Sequence, residues 1–289
     1  MKRISGHYLD KNDKQVNFDF EVATSWEELE RFQVEIILEI LTYKRADRYT
    51  VSASLLILLC KMNWLHVASL PDEDIHALVP LTNFLFDTQP PAKNLHPKLT
   101  MRKIKYFAPA DDLSNIGFGE WCFLAEMLHN YRRSKAGAAA TISTGQPILP
   151  EAFLDKFIMT MYRPADPDQQ PGHVNYTGDI REKFNENLIN HRAKLITDMH
   201  FKIKETILAW FSAALLNIMA SRPHLFPIVE NKSDSSAEAS AKAEIPFTWF
   251  DVFREQLGPK WGTTEELKYT NAIFVLDYLE QQQREQNEN

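Results

Sequence analysis

The sequence predicts a mainly α fold, a multi-helix bundle with a small N-terminal β-hairpin and a linker-tethered C-terminal helical unit. Three observations lead there. Apolar residues recur at helical spacing along most of the chain, one strictly alternating segment opens it, and a run of small and polar residues from Asn231 to Glu244 (NKSDSSAEASAKAE) precedes a short aromatic-rich end. The expected division is a helical body with its hairpin over 1–228, a flexible linker over 229–245 and a C-terminal helical hairpin over 246–289.

In chain order, Gln15 to Val22 places Val16, Phe18, Phe20 and Val22 on one face and Gln15, Asn17, Asp19 and Glu21 on the other, the period of a half-buried strand. Ile4 to Leu9, joined to it through a turn at Asp10 to Asp13, is its expected hairpin partner. Ser25-Trp26-Glu27-Glu28 has the form of a capping box before Leu29, Phe32, Ile36, Ile37, Ile40 and Leu41, which recur on a helical stripe. A second helix is expected over Val51 to Val67. A third starts at Ser69-Leu70-Pro71 with Asp72, Glu73 and Asp74 in its first turn, and Pro80 should kink or break it.

Gln89 to Pro97 reads as an extended connector, with a short strand pair over Leu99, Met101, Ile104 and Tyr106 beyond it. Phe118 to Arg133 forms a helix burying Phe118, Trp121, Cys122, Ala125 and Leu128, and Gly137 to Pro147 forms a flexible loop. Pro150 opens a helix that ends at Arg163-Pro164. The longest helix then starts near Asp179, which caps it with Glu182 three residues on, and follows the spine Phe184, Leu188, Leu195, Met199, Ile203, Ile207, Phe211, Leu215 and Ile218. Between Ile207 and Met219 it is apolar on almost every side, which predicts the centre of the core. Arg222-Pro223 stops it. After the linker, Phe247, Trp249, Phe250 and Phe253 crowd a short helix, and Thr263-Thr264-Glu265-Glu266 caps a final one carrying Leu267, Phe274, Val275, Tyr278 and Leu279.

Composition narrows the function classes. The chain has 18 Phe, 9 Tyr and 6 Trp against only 9 Gly, which favours packed helices over phosphate-cradling loops. A formal charge of −7 opposes a protein whose affinity comes from neutralising nucleic-acid phosphates. The densest basic run, Tyr131-Arg132-Arg133-Ser134-Lys135, reads as cations at a helix C-terminus. Cys60 and Cys122 sit in apolar patterns and read as buried hydrophobes of a reducing compartment. The first residues lack the apolar core of a signal peptide and no uninterrupted apolar run reaches spanning length, so a cytoplasmic location is expected.

No motif assembles a catalytic or cofactor site. The nine His residues show no metal-ligand spacing, and the Asp166, Asp168 and His173 loop is the nearest approach to one, with an exposed Asp-Pro turn as the ordinary alternative. Residues of a helix advance by about 100° each, so His191 and His200 face opposite sides of the long helix. Gly117-Phe118-Gly119 precedes a helix but lacks the third glycine of a dinucleotide fingerprint and the Gly-Lys-Ser/Thr of a P-loop. The expectation is a non-enzymatic interaction protein without cofactor or metal, with a protein partner, no nucleic acid, no membrane and self-assembly left open.

Thr24-Ser25-Trp26-Glu27-Glu28-Leu29, the run Asp112-Leu113-Ser114-Asn115-Ile116-Gly117-Phe118-Gly119-Glu120, and Met161-Tyr162-Arg163-Pro164 together resemble tail-region proteins of tailed phages and prophages of Bacteroidetes. The aromatic end after a linker is similar to the extension that some phage tail assembly chaperones carry. The resemblance implies a protein that coats the long, aggregation-prone tape measure protein until tail polymerisation displaces it. On that reading Trp249, Phe250, Phe253, Phe274 and Tyr278 are the partner-binding candidates, against the alternative that they pack on one another or on the body. A structural virion component of the neck or baseplate, and an enzyme built from residues distant in sequence, are the other readings left open.

Overall fold

A computed structural model describes residues 1–9, 14–43, 47–60, 72–137, 149–174, 176–227, 249–256, 258 and 260–288. It is mainly α with two small sheets, one of two strands and one of three. The contacts divide the chain at points other than 1–228, 229–245 and 246–289. One compact unit is Met1–Leu95 with His200–Ala213, and the other is His96–Met199 with Ala214–Asn289. The Asp10 to Asp13 turn, the expected helix beyond residue 60, the Ser69-Leu70-Pro71 start, the loop after Gly137, the linker and Phe247 lie outside the described residues.

In the first unit, strands β1 (Lys2–Leu9) and β2 (Gln15–Val22) pair antiparallel in the register Lys2↔Val22 to Leu9↔Gln15. The alternation holds: Val16 and Phe18 are half-buried and Val22 is buried, while Gln15, Asn17, Asp19 and Glu21 face solvent. The predicted capping box does not form. Ser25 makes no side-chain cap bond to the single 3-10 turn at Trp26–Glu28, and the Glu28 carboxylate instead accepts from Thr24 N (2.7 Å) and Thr24 Oγ1 (3.1 Å). Helix α1 therefore begins only at Arg31 and runs to Tyr43. There Glu30 N donates to Gln33 Oε1 at 2.9 Å, which supplies half of a capping box three residues into the apolar stripe.

Helix α2 (Arg48–Leu59) is capped by the Asp47 carboxylate, which accepts from Thr50 N at 3.0 Å. Gln33 Nε2 donates to Leu58 O at 3.0 Å and joins α1 to α2 by a polar bond at the edge of the core. Helix α3 (Asp72–Leu78) gives way at Pro80 to a 3-10 turn (Val79–Thr82), as expected of a ring that removes the i−4 bond, and the short α4 (Phe84–Asp87) follows. Val22, Trp26, Val34, Ile37, Leu55, Leu56, Leu59 and Leu85 form the core of this unit. Each fully buried Ile or Leu among them stabilises by roughly 1.5–3 kcal/mol.

The second unit opens with the hairpin of β3 (Lys98–Met101) and β4 (Ile104–Phe107), to which β5 (Arg163–Pro164) adds a third antiparallel strand. Arg102 and Lys103 turn this hairpin with φ of 47° and 68°, the twist-matched primed turn. Helices α5 (Phe118–Lys135), α6 (Pro150–Met161) and α7 (Glu186–Ala193) pack in succession around Leu124, Leu128, Phe157, Ile158 and Ile189. Ala125, expected in this core, is half-buried. Arg132, Arg133 and Lys135 occupy the last turn of α5, where cations favour the helix dipole.

The longest predicted helix is two. Residues 194–200 form tight turns closed by bonds such as Leu195 N to Arg192 O (2.8 Å) and Met199 N to Ile196 O (2.9 Å), and α8 starts afresh at Phe201 and ends at Ala220. Ile196 is buried in this break, so tertiary packing overrides the continuous apolar pattern. Asn185, not Asp179, caps α7 through Asn187 N at 3.1 Å, and Leu188 is 38% exposed. In the final turns of α8 Leu216 is 43% exposed, so the helix is not enclosed on every side. Among the described residues α8 is the one helix long and apolar enough to cross a membrane, and half of its apolar window is buried.

Helices α9 (Trp249–Glu255), α10 (Thr264–Tyr269) and α11 (Ala272–Glu288) complete the second unit. The Thr263 and Glu266 capping box forms as predicted. The single final helix is again two, broken at Thr270-Asn271, because the backbone there turns to other partners. Phe118 N donates to Thr270 O at 2.7 Å and Ala272 N donates to Ile116 O at 2.9 Å, while Asn271 Oδ1 accepts from Ile273 N at 2.9 Å. This crossing needs glycine. A Cβ at Gly117 would lie 2.8 Å from Lys268 O, and one at Gly119 would lie 2.6 Å from Lys268 Cγ and 3.3 Å from its Cα. Gly117→Ala is therefore expected to lower the stability of the second unit by about 1–3 kcal/mol, read as a lower urea midpoint by circular dichroism.

Candidate functional site

The segment Ser114 to Glu120 organises a site in the second unit. Its residues serve two neighbours at once: Ile116, Gly117 and Phe118 carry the C-terminal helices, and Glu120 turns inward. Glu120, Arg163 and Arg181 are buried polar side chains, with Asp179 at their edge. Glu120 Oε2 accepts from Arg163 at 2.8 Å and Glu120 Oε1 from Arg181 at 3.0 Å. The Asp179 carboxylate accepts from Arg181 Nε (2.8 and 3.0 Å), Nη2 (2.7 Å) and backbone N (2.9 Å).

Both guanidinium groups also donate to carbonyls. Arg181 reaches Met161 O at 2.7 Å and Asn115 O at 3.3 Å, and Arg163 reaches Glu182 O. Two carboxylates and two guanidinium groups cancel, so the buried set is neutral. Burial opposes the charge on Arg181, but Glu120 and Asp179 outweigh it and raise its pKa above the ordinary value. Burial wins at Arg163 and lowers its pKa despite the same Glu120.

On the other side of α5, the predicted aromatic set divides. Trp249 packs its ring against Phe118 (6.4 Å), Trp121 (5.7 Å) and Phe226 (6.0 Å), and its carbonyl accepts from the Cys122 thiol at 3.4 Å. Phe253 stacks on Phe118 at 5.9 Å with the rings 9° apart. Phe250 is 40% exposed and, with Phe253, lines an apolar cleft of about 270 Å³ together with Gly119, Phe123, Phe184 and Lys268. Phe274 and Tyr278 do not line it. Phe274 stands 67% exposed on α11, and Tyr278 meets Trp261 edge-on at 5.8 Å with Lys260 over its ring.

Glu186 and Glu265 stand with Lys268 among the cleft's charged lining residues. Lys268 Nζ donates to Glu186 Oε2 at 2.7 Å, and this bond holds the Glu186 carboxyl below the ordinary carboxylate range. Both thiols are buried. Burial pushes Cys60 up to about 11 and Cys122 further still, which makes both poor nucleophiles.

At the Asp166, Asp168 and His173 loop, Asp166 Oδ1 accepts from Asp168 N at 2.9 Å, a local turn bond. Among the described residues no three His, Cys, Asp or Glu side chains gather to hold a metal ion. His191 lies on α7 and His200 before α8, on separate elements. Sequence reasoning missed the ion cluster. Asp179 read as a helix cap, and the one available signal was a charged Arg163 two residues past the mostly apolar end of α6. Comparison with protein-family models, with curated proteins and with solved structures finds no match to this chain.

Glu120→Ala leaves two buried guanidinium groups short of a carboxylate and is expected to cost about 3–5 kcal/mol, measured by urea unfolding. Replacing Glu120 and Arg181 together by Leu and Met should recover part of that loss. For the exposed pair, the depressed Glu186 carboxyl contributes stability above its ordinary 4.5 that is lost as pH falls through its lower folded value. Lys268→Met should accordingly flatten part of the stability loss seen in urea midpoints as pH falls below the ordinary carboxylate range.

Proposed function

We propose that this chain is a non-enzymatic protein-binding protein of the tail assembly chaperone kind, which takes an apolar stretch of a partner on its C-terminal helices. The observation that carries the reading is the apolar cleft beside α9, lined by Phe123, Phe184 and Phe253 and edged by a Phe250 that the fold leaves 40% exposed. A cleft of this kind accepts one or two large side chains from an amphipathic helix lying across it. The tape measure protein is the partner that the resemblance in the Trp26, Gly117 and Arg163 segments names. Trp249 has a supporting role on this reading, because its ring is engaged with Phe118 and Trp121 and holds α9 in place.

Co-expression of the full chain with fragments of the long helical proteins encoded beside it, followed by affinity purification, is the direct test. A soluble complex with one such fragment is expected, and Phe250→Asp should weaken it by more than about tenfold while circular dichroism stays unchanged. Failure of every fragment to form a complex would end the chaperone reading. Recovery of the chain in purified virions by peptide mass spectrometry would replace it with a structural role.

A further inference from the structure

We infer that strand β3, the open edge of the three-stranded sheet in the second unit, takes an added strand from an acidic, extended segment of a partner protein. This surface shares no residue with the lining of the apolar cleft, so the two stand or fall separately.

The sheet is open on one side only. Its order is β3-β4-β5, which makes β3 and β5 the margins. Residues 180–182 cover the β5 side: Glu182 N donates to Pro164 O and Asp166 N donates to Ile180 O, both at 2.9 Å, around the bridge Ala165↔Arg181. Among the described residues no segment covers β3 in this way. Antiparallel strands exchange backbone bonds at every second pair. Here Met101↔Ile104 closes the two-residue turn, Leu99↔Tyr106 follows, and Ala108 N donates to Pro97 O at 3.0 Å. The amides and carbonyls of Lys98 and Thr100 therefore point away from β4, two donors and two acceptors at the spacing that another extended chain matches. Both residues are exposed.

Charge singles out the same edge. Between Asp87 and Asp111 the chain has no acidic residue, and Lys98, Arg102, Lys103 and Lys105 stand on the hairpin. All four are exposed, and none makes an ion pair among the described residues. In the register Thr100↔Lys105, Lys98 and Lys105 share the outer face with Thr100, while Leu99, Met101 and Tyr106 are buried on the other. Arg102 and Lys103 form the turn at the end of the edge. The patch is unneutralised on a chain whose formal charge is −7.

Edge and charge together select the partner. Like charges facing each other across a strand pair are destabilising, so the cations repel a second copy of β3 and attract a strand with acidic side chains. A nucleic acid would meet the charge but not the edge, because its phosphates only accept and would leave Lys98 O and Thr100 O facing anionic oxygens. A peptide strand satisfies donors and acceptors alike, with acidic side chains at alternate positions on the face of Lys98 and Lys105.

Fluorescence anisotropy of a labelled, end-blocked peptide of alternating Glu and Thr, titrated with the full chain, tests the site. Saturable binding with Kd of about 0.5 mM or tighter is expected at low salt, weakening at least about fivefold between roughly 0.05 and 0.5 M sodium chloride. The same peptide N-methylated along its backbone keeps the charge but has no donors, and should bind at least about fivefold more weakly. Thr100→Pro removes an outward N–H without touching the ladder to β4, and should cause a similar loss with unchanged circular dichroism. The double variant Lys98→Glu, Lys105→Glu should abolish binding. Absence of saturable binding by the Glu-Thr peptide overturns the inference, as does binding that salt or the double variant leaves unchanged. Equal affinity for the N-methylated peptide would refute strand addition, and tighter binding of oligothymidylate than of the peptide would assign the hairpin to nucleic acid instead.

Discussion

The second unit depends on the neutral set of four charges around Glu120. Arg163 and Arg181 are anchored there, and between them they donate to the carbonyls of Asn115, Met161 and Glu182. One cluster thus ties the loop before α5, the end of α6, the short β5 strand and the segment leading to α7. Isolated burial of any of these ions would cost several kcal/mol, so the arrangement is stable only as a complete set. An apolar replacement of similar volume could hold the same space. It could not specify the path of 179–185, because that path is defined by where the Asp179 carboxylate and the Glu182 carbonyl find their donors.

Phe184 follows that path directly and is buried, with its ring 5.7 Å from Phe123. One wall of the apolar cleft is therefore set by the charge cluster at one remove. Gly117 and Gly119 supply the second constraint by letting the Lys268 backbone and side-chain stem approach α5 closely. In the sequence Gly117-Phe118-Gly119 falls short of both a dinucleotide fingerprint and a P-loop. Here its role is steric, and the amide and carbonyl on either side of Gly117 bond to Thr270 and Ala272.

Elements whose signal is local were legible in the sequence. The alternation of Gln15 to Val22, Pro150 at its helix start, the break at Pro80 and the Thr263 box each rest on residues within eight positions of one another. What failed rested on competing or distant partners. Ser25 yielded its capping role because the Thr24 amide and hydroxyl reach Glu28, and Asp179 left the helix start for two arginines, one of them 16 residues upstream. The break at 194–200 was illegible because a continuous apolar stripe is compatible with one helix or two. Of the candidate aromatics, Phe250 and Phe253 were placed in a cleft whose other walls, Phe123 and Phe184, have no sequence feature that links them to α9. The runs Asp112–Glu120 and Met161–Pro164, distant in sequence, supply Glu120 and Arg163, the two ends of one buried ion pair.

The discontinuity of the first unit has a bearing on how the chain is made. Its last contribution, His200–Ala213, follows Leu95 only after more than a hundred residues assigned to the other unit. On a ribosome moving at about 5–20 residues per second, the N-terminal hairpin and helices α1 to α4 would wait roughly 6–24 s for the helix that completes their core. Throughout that interval the part of their core that meets Ala209 is unfinished. A chain of this design has made all but one element of its first unit well before it can offer a finished surface to any partner.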